Sequence, residues 1–111
     1  MPSPNWPGYW QFNGVKAAAS AGQDIRATPG PGKALVVTKI VATIEVSAAQ
    51  ADSIQDDSGT VVFFNIPASS PVASKFEFES SLGVRLTTNE KFECVGTAGN
   101  RIRLYCEGYT Q

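Results

Sequence analysis

At 111 residues and 11.8 kDa, the chain has the length of a single domain. Its charged fraction of 17% is below the usual value of about a quarter, which indicates that part of the surface contacts something other than water. The net charge is −1, from nine basic and ten acidic residues that form no block of one sign. This balance argues against a nucleic acid partner and against binding to an anionic membrane.

The first residues, MPSPNWPGYWQF, contain neither the basic segment nor the apolar run that a signal peptide needs. Apolar runs elsewhere in the chain are far shorter than the ~20 residues of a membrane-spanning helix. We therefore expect the protein to be made in a cytoplasm and not to enter a membrane.

Residues 1–21 are predicted to form an extended N-terminal arm, because three prolines and two glycines disfavour a regular helix or a central strand. The arm carries four aromatic residues: Trp6, Tyr9, Trp10 and Phe12. Two interpretations remain open for these rings. They fold back onto the domain's own sheet, or they dock on a neighbouring protein, since Trp and Tyr provide interface area at little cost in side-chain entropy.

Residues 33–46, KALVVTKIVATIEV, are predicted to form the central strand, because Val, Ile and Thr dominate the segment and favour a pleated sheet. One side is predicted to face the core and the other to be mixed. The core side contains Val36, Thr38, Ile40, Ala42, Ile44 and Val46. The mixed side still holds three apolar residues, Leu35, Val37 and Val41, so we expect another chain or a folded-back segment to cover it.

Further strands are predicted from apolar runs separated by turn residues. They cover residues 23–28 with Ile25 inward, and residues 60–66, 72–79, 82–87, 91–95 and 101–107. Residues 47–59 are predicted to be a polar connection. The pattern predicts an all-β fold, in which residues 22–111 form an antiparallel two-layer β-sandwich, jelly-roll-like, of six to eight strands behind the N-terminal arm.

The last two strands are predicted to pair as a hairpin closed by residues 96–100. Their inward residues would be Phe92, Cys94, Ile102, Leu104 and Cys106. With Cys94 opposite Leu104, the two cysteines are diagonal neighbours ~7–8 Å apart, which is too far for a disulfide. The sequence therefore predicts two reduced, buried thiols.

The chain contains no histidine, which removes the usual general base, the usual zinc ligand and every nucleophile that depends on a histidine. The one acidic cluster, Asp52, Asp56 and Asp57, lacks the ligand spacing of a calcium loop and is predicted to be a solvated loop. We expect no catalytic residues, no metal and no cofactor.

From residue 32 to residue 109, the order of features resembles small β-sandwich domains in virion proteins of tailed bacteriophages, namely head decoration (cement) proteins and fibre domains. The resembling features are a Pro-Gly-Lys start (Pro31, Gly32, Lys33), a long Val/Ile strand ending in small residues (Val46, Ser47, Ala48, Ala49), the aromatic strand at 61–64, the Gly-Val-Arg-Leu strand at 83–86, and a closing hairpin.

This resemblance implies a structural virion protein, a homotrimer that binds the major capsid protein or other virion proteins. The interface would use Trp6, Tyr9, Trp10 and Phe12 of the arm together with Leu35, Val37 and Val41 of the central strand.

A carbohydrate-binding, lectin-like module or a receptor-binding fibre or tail domain remains the alternative. In a carbohydrate-binding module, Trp6, Trp10 or Tyr105 would stack on sugar rings.

Overall fold

A computed structural model of the chain describes residues 8–16, 22–47, 51–96 and 101–111. Within these residues the fold is all-β, with eight strands and no helix. No helix long and apolar enough to cross a membrane occurs among them. The strands are β1 (Trp10–Lys16), β2 (Gln23–Arg26), β3 (Leu35–Val46), β4 (Asp52–Asp56), β5 (Val62–Ile66), β6 (Lys75–Arg85), β7 (Phe92–Val95) and β8 (Arg101–Thr110).

The eight strands form two antiparallel sheets of four. Sheet I has the order β1-β8-β3-β6, and sheet II has the order β2-β7-β4-β5. Four nested pairs, β1 with β8, β2 with β7, β3 with β6 and β4 with β5, therefore connect the first half of the chain to the second. This is the strand order of a jelly roll, and it confirms the predicted antiparallel two-layer sandwich.

The core lies between the two sheets, and an irregularity in β3 decides which residues reach it. The register of β3 against both β6 and β8 shifts between Val37 and Lys39. Because side chains alternate along a strand, one extra residue moves the following side chains to the other face. Ile40, Ala42 and Ile44 face the core as predicted, but before the shift the core residues are Leu35 and Val37.

The predicted core position of Val36 and Thr38 is therefore wrong, although both are buried. Four residues of β6, 80–83, stand opposite Thr38 alone, so β6 bulges at this point. A side chain at Gly83, whose φ is +81°, would lie 2.5 Å from Val36 Cγ1 and 3.0 Å from Thr38 Cγ2. The bulge thus covers this part of the outer face with the chain's own backbone.

Three other sequence predictions need correction. Residues 91–95 and 101–107 do not form a hairpin, because β7 pairs with β2 and β4 whereas β8 pairs with β1 and β3. Part of the predicted connection at 47–59 is strand β4. The two strands predicted within 72–87 are one long strand, β6.

The segment predicted to be an extended arm contributes a strand to the sandwich. Residues 10–16 form β1, which pairs along its whole length with β8. Backbone hydrogen bonds favour this arrangement over an arm, and the Trp10 ring packs into the core at 6.1 Å from the Phe92 ring. Residues 1–7 and 17–21 lie outside the described residues.

Asp56 fastens the loop between β4 and β5 to the segment that follows β6. Its fully buried carboxylate accepts hydrogen bonds from the Val61 N–H, and from the N–H and hydroxyl of Thr87 at 3.1 and 2.7 Å. Desolvation by itself would raise the pKa of Asp56. The hydrogen bonds outweigh this effect and lower the pKa, and the bond from the Thr87 hydroxyl contributes most to the lowering.

Both cysteines are free and buried, as predicted. They belong to different sheets, Cys94 to β7 and Cys106 to β8. Burial raises the pKa of each thiol to about 12, so both stay protonated and unreactive at neutral pH.

Replacing Gly108 with alanine should destabilise the fold by about 3 kcal/mol, because the new methyl group would overlap the Val36 carbonyl oxygen and lie 2.7 Å from Trp10 Cζ2. The matched control is Gly14→Ala on β1, where the methyl group would meet only the tip of the Phe12 ring, at 3.0 Å. Its expected cost is below about 1 kcal/mol. Urea unfolding measures both changes, and equal losses would contradict the close approach at Gly108.

Replacing Asp56 with asparagine should lower the unfolding free energy at pH 7 by about 2 kcal/mol, because hydrogen bonds to a charged acceptor are lost. Since the pKa is lowered in the folded state, this contribution is present above the ordinary value of 3.8 and disappears as the pH falls through the lowered value. The difference between wild type and Asp56→Asn should therefore shrink in urea titrations below about pH 4. Asp24→Asn, at an exposed ion pair, is the control, and a pH-independent difference would refute this role of Asp56.

Candidate functional site

The outer face of sheet I carries a row of polar side chains that crosses all four strands. Gln11 of β1 pairs with Glu107 of β8, Glu107 with Lys39 of β3, and Lys39 with Glu79 of β6. In the next row, Tyr105 pairs with Val41, and Val41 with Glu77. We call the group Tyr9, Gln11, Lys39, Glu79, Tyr105 and Glu107 the tyrosine–carboxylate cluster.

Glu107 is the centre of this cluster. Only 9% of the residue is exposed, although it lies on an outer face. The hydroxyls of Tyr105 and Tyr9 both donate to its Oε2 atom, at 2.8 and 3.3 Å. The Tyr9 hydroxyl also lies 3.1 Å from Gln11 Oε1, so one proton serves two acceptors. These contacts fix the carboxylate and both rings relative to each other.

Glu107 contributes to a raised pKa of both phenols. The hydrogen bond to Glu107, followed by burial and by the carboxylate's negative charge, raises the pKa of Tyr105 to about 12. Burial, followed by the charge of Glu107, also raises the pKa of Tyr9. Both hydroxyls therefore remain donors throughout the physiological pH range.

Lys39 extends the cluster towards β6. Its Nζ lies 5.9 Å from the centre of the Tyr105 ring and 4.0 Å from Glu79 Oε2. Beside it, a shallow groove of about 450 Å³ follows the boundary between β3 and β6, lined by Lys39, Ile40, Val41, Glu77, Phe78 and Glu79. Lys39 and Glu79 thus belong both to the tyrosine–carboxylate cluster and to this groove.

A second group of charges lies on sheet II. Lys91 contacts Asp24, Glu93 and Asp57 at 3.2, 3.6 and 4.0 Å. Burial, followed by a hydrogen bond and charge repulsion from Asp57, raises the pKa of Glu93. No group of three or more acidic or cysteine side chains placed to hold a metal ion is found in the described part of the chain. These contacts connect β2 and β7 to the loop after β4.

A second concavity, of about 520 Å³, opens at the end of the sandwich where Gly8 meets Thr110. Arg26 and Lys33 are its charged lining residues. Neither cation makes an ion pair with a described residue.

The structure divides the residues predicted to form an interface. Trp10, Leu35 and Val37 are at most 2% exposed and belong to the core cluster of this chain. The Trp10 Nε1–H also donates to the Tyr109 carbonyl within the fold. The bulge at Thr38 is the physical reason why Leu35 and Val37 face the core.

The remaining predicted residues are more accessible. Phe12 is half-buried against the core, with Lys16 Nζ 5.0 Å from the centre of its ring. Tyr9 and Val41 are half-buried on the outer face of sheet I. Trp6 lies outside the described residues.

Four members of the tyrosine–carboxylate cluster were not predicted: Gln11, Lys39, Glu79 and Glu107. The sequence places Tyr105 on the outward side of the last strand and offers its ring for sugar stacking. The alternation of Tyr105 and Glu107 along the last strand was the available signal, since it places both side chains on one face. The other members come together only through cross-strand register.

No known protein family, no curated protein and no solved structure matches this chain.

Replacing Glu107 with glutamine should lower the pKa of Tyr105 from about 12 towards 10, because the variant removes the charge and the charge-assisted hydrogen bond. Ultraviolet titration of phenolate absorbance measures this, with Tyr105→Phe identifying the transition that belongs to Tyr105. As a control, Glu77→Gln, on the neighbouring row, should leave that transition in place. An unchanged Tyr105 transition in Glu107→Gln would show that Glu107 does not hold the phenol.

Proposed function

We propose that the chain is a structural virion protein, a capsid decoration protein that attaches to the phage head and acts without catalysis. The observation that carries the proposal is the nested strand order β1-β8-β3-β6 over β2-β7-β4-β5, since jelly rolls with this plan form viral capsid and lectin domains. The proposal is supported by the fold and by the resemblance of residues 32–109 to β-sandwich domains of phage virion proteins.

The attachment surface that fits this role best lies around the bulge of β6. Leu82 is 83% exposed, whereas the neighbouring Gly83 packs on Val36 and Thr38. The Gly83 N–H bonds to Ser80 Oγ, and the Tyr109 hydroxyl donates to the Leu82 carbonyl. An apolar side chain on a fixed backbone loses little entropy on binding, which makes Leu82 a suitable anchor for a capsid subunit.

The first described residue, Gly8, lies at the same end of sheet I. The Thr110 N–H donates to the Gly8 carbonyl, so Gly8 lies beside the last residues of β8. We therefore place the contact with the shell on residues 1–7, Leu82 and Tyr109, and no longer on Trp10, Leu35 or Val37. Sandwiches of this kind would pack as a trimer around a symmetry axis of the shell.

Attachment is tested by adding the purified chain to phage heads that lack it and measuring occupancy by sedimentation. Leu82→Asp should reduce occupancy at least tenfold, because it would bury a charge against the capsid subunit where the leucine side chain would otherwise pack. Deleting residues 2–7 should also reduce occupancy while leaving the circular dichroism of the sandwich unchanged. Asn65→Ala, on the exposed face of sheet II, is the control.

Failure of the unmodified chain to bind such heads would refute the proposed function. Light scattering on the free protein tests the trimer separately. A mass near three times 11.8 kDa is expected, and a monomer at all concentrations would contradict the trimer alone.

A further inference from the structure

The tyrosine–carboxylate cluster contains one carboxylate oxygen that no other described residue uses. Both tyrosine hydroxyls bond to Oε2 of Glu107, and among the described residues no hydrogen bond or ion pair reaches Oε1. Glu107 is thus a fixed acceptor with one oxygen that no described residue contacts.

The residues paired with Glu107 on the two neighbouring strands, Gln11 and Lys39, both carry hydrogen-bond donors. Gln11 accepts from Tyr9 through Oε1, which leaves its amide NH₂ group as a donor. Lys39 is a second donor, and its side chain is 34% exposed. A ligand matched to this surface therefore needs to donate to Glu107 and accept from Gln11 and Lys39. Adjacent hydroxyl groups, each a donor and an acceptor, meet this requirement.

The aromatic rings and the charges of this surface restrict the class of ligand further. Tyr105 and Tyr9 supply aromatic faces that can pack against the apolar face of a sugar ring. Glu107, Glu79 and Glu77 outnumber Lys39 on this surface, so an anionic ligand would meet a net negative charge. The groove of about 450 Å³, to which Lys39 and Glu79 contribute, lies beside these groups.

We propose that the outer face of sheet I binds a neutral saccharide. The saccharide would be held by Glu107 Oε1, the side-chain amide of Gln11, the ammonium group of Lys39 and the ring of Tyr105. The side chains that orient Glu107 are already in place, so binding requires little reorganisation. The inference does not depend on the proposed virion role, because it uses Glu107 and its neighbours and neither Leu82 nor residues 1–7.

The test is a titration of the full chain, labelled with ¹⁵N, with two sets of probes. The neutral probes are chitotetraose, maltotetraose, cellotetraose and lactose. The anionic probes are sialyllactose and inorganic phosphate. Resonances of the Gln11 side-chain amide and of the backbone at residues 105 and 107 report binding at the cluster, and calorimetry gives the affinity.

At least one neutral probe should shift these resonances, and the anionic probes should not. Tyr105→Ala should weaken binding about tenfold, and Glu107→Gln by a similar factor, through loss of ring packing and of the charged acceptor. Tyr105→Phe keeps the ring and should weaken binding less than Tyr105→Ala. Tyr105→Phe removes only the hydroxyl group, so it is also the substitution that disturbs the fold least.

Asn65→Ala is the matched control, because Asn65 is an exposed amide on an edge strand of the other sheet. It should leave the affinity unchanged. The proposal is overturned if no neutral probe shifts the cluster, if sialyllactose or phosphate binds it as well as the neutral probes do, or if Asn65→Ala weakens binding as much as Tyr105→Ala.

Discussion

The close approach of three strands at Gly108 is the constraint on which sheet I depends. Because β8 has no side chain there, the Val36 carbonyl of β3 and the Trp10 ring of β1 both occupy the space that a Cβ atom would take. Beside it, Thr38 forms the bulge of β3 and donates its hydroxyl to the Glu107 carbonyl. The bulge brings Leu35 and Val37 into the core, and the same segment of β8 carries Glu107. Packing of the core and placement of the tyrosine–carboxylate cluster therefore follow from one local arrangement.

Much of the fold could be predicted from the sequence, because alternation and turn residues are local signals. The sandwich class and the inward side chains of Ile25, Phe92 and Leu104 follow from them, whereas the two free thiols were argued from a hairpin that the structure does not contain. The bulge at Thr38 could not be predicted, since a threonine within a Val/Ile strand looks like any other strand residue. The prediction of a β7–β8 hairpin is wrong. Proximity in sequence favours such a hairpin, but in the structure the two strands join opposite sheets, where each of them pairs with two other strands.

The candidate site was less predictable than the fold. Tyr105 and Glu107 lie two residues apart on one strand, and their shared face is readable from the sequence. Gln11, Lys39 and Glu79 join them only because four strands align in one row, and that alignment depends on the bulges in β3 and β6. The sequence leaves open whether Trp10 folds back onto the domain or docks on a neighbouring protein; in the structure its ring lies where a side chain at Gly108 would be.

The central claim is that β8 lies between β1 and β3, since this pairing creates both the core and the candidate site. Nuclear Overhauser effects between backbone protons of neighbouring strands test it most directly in solution. The structure predicts cross-strand effects that connect Tyr105 with Val41 and with Asn13. Effects that connect Leu104 with Cys94 as neighbours in a β7–β8 hairpin would contradict the nested strand order and everything derived from it.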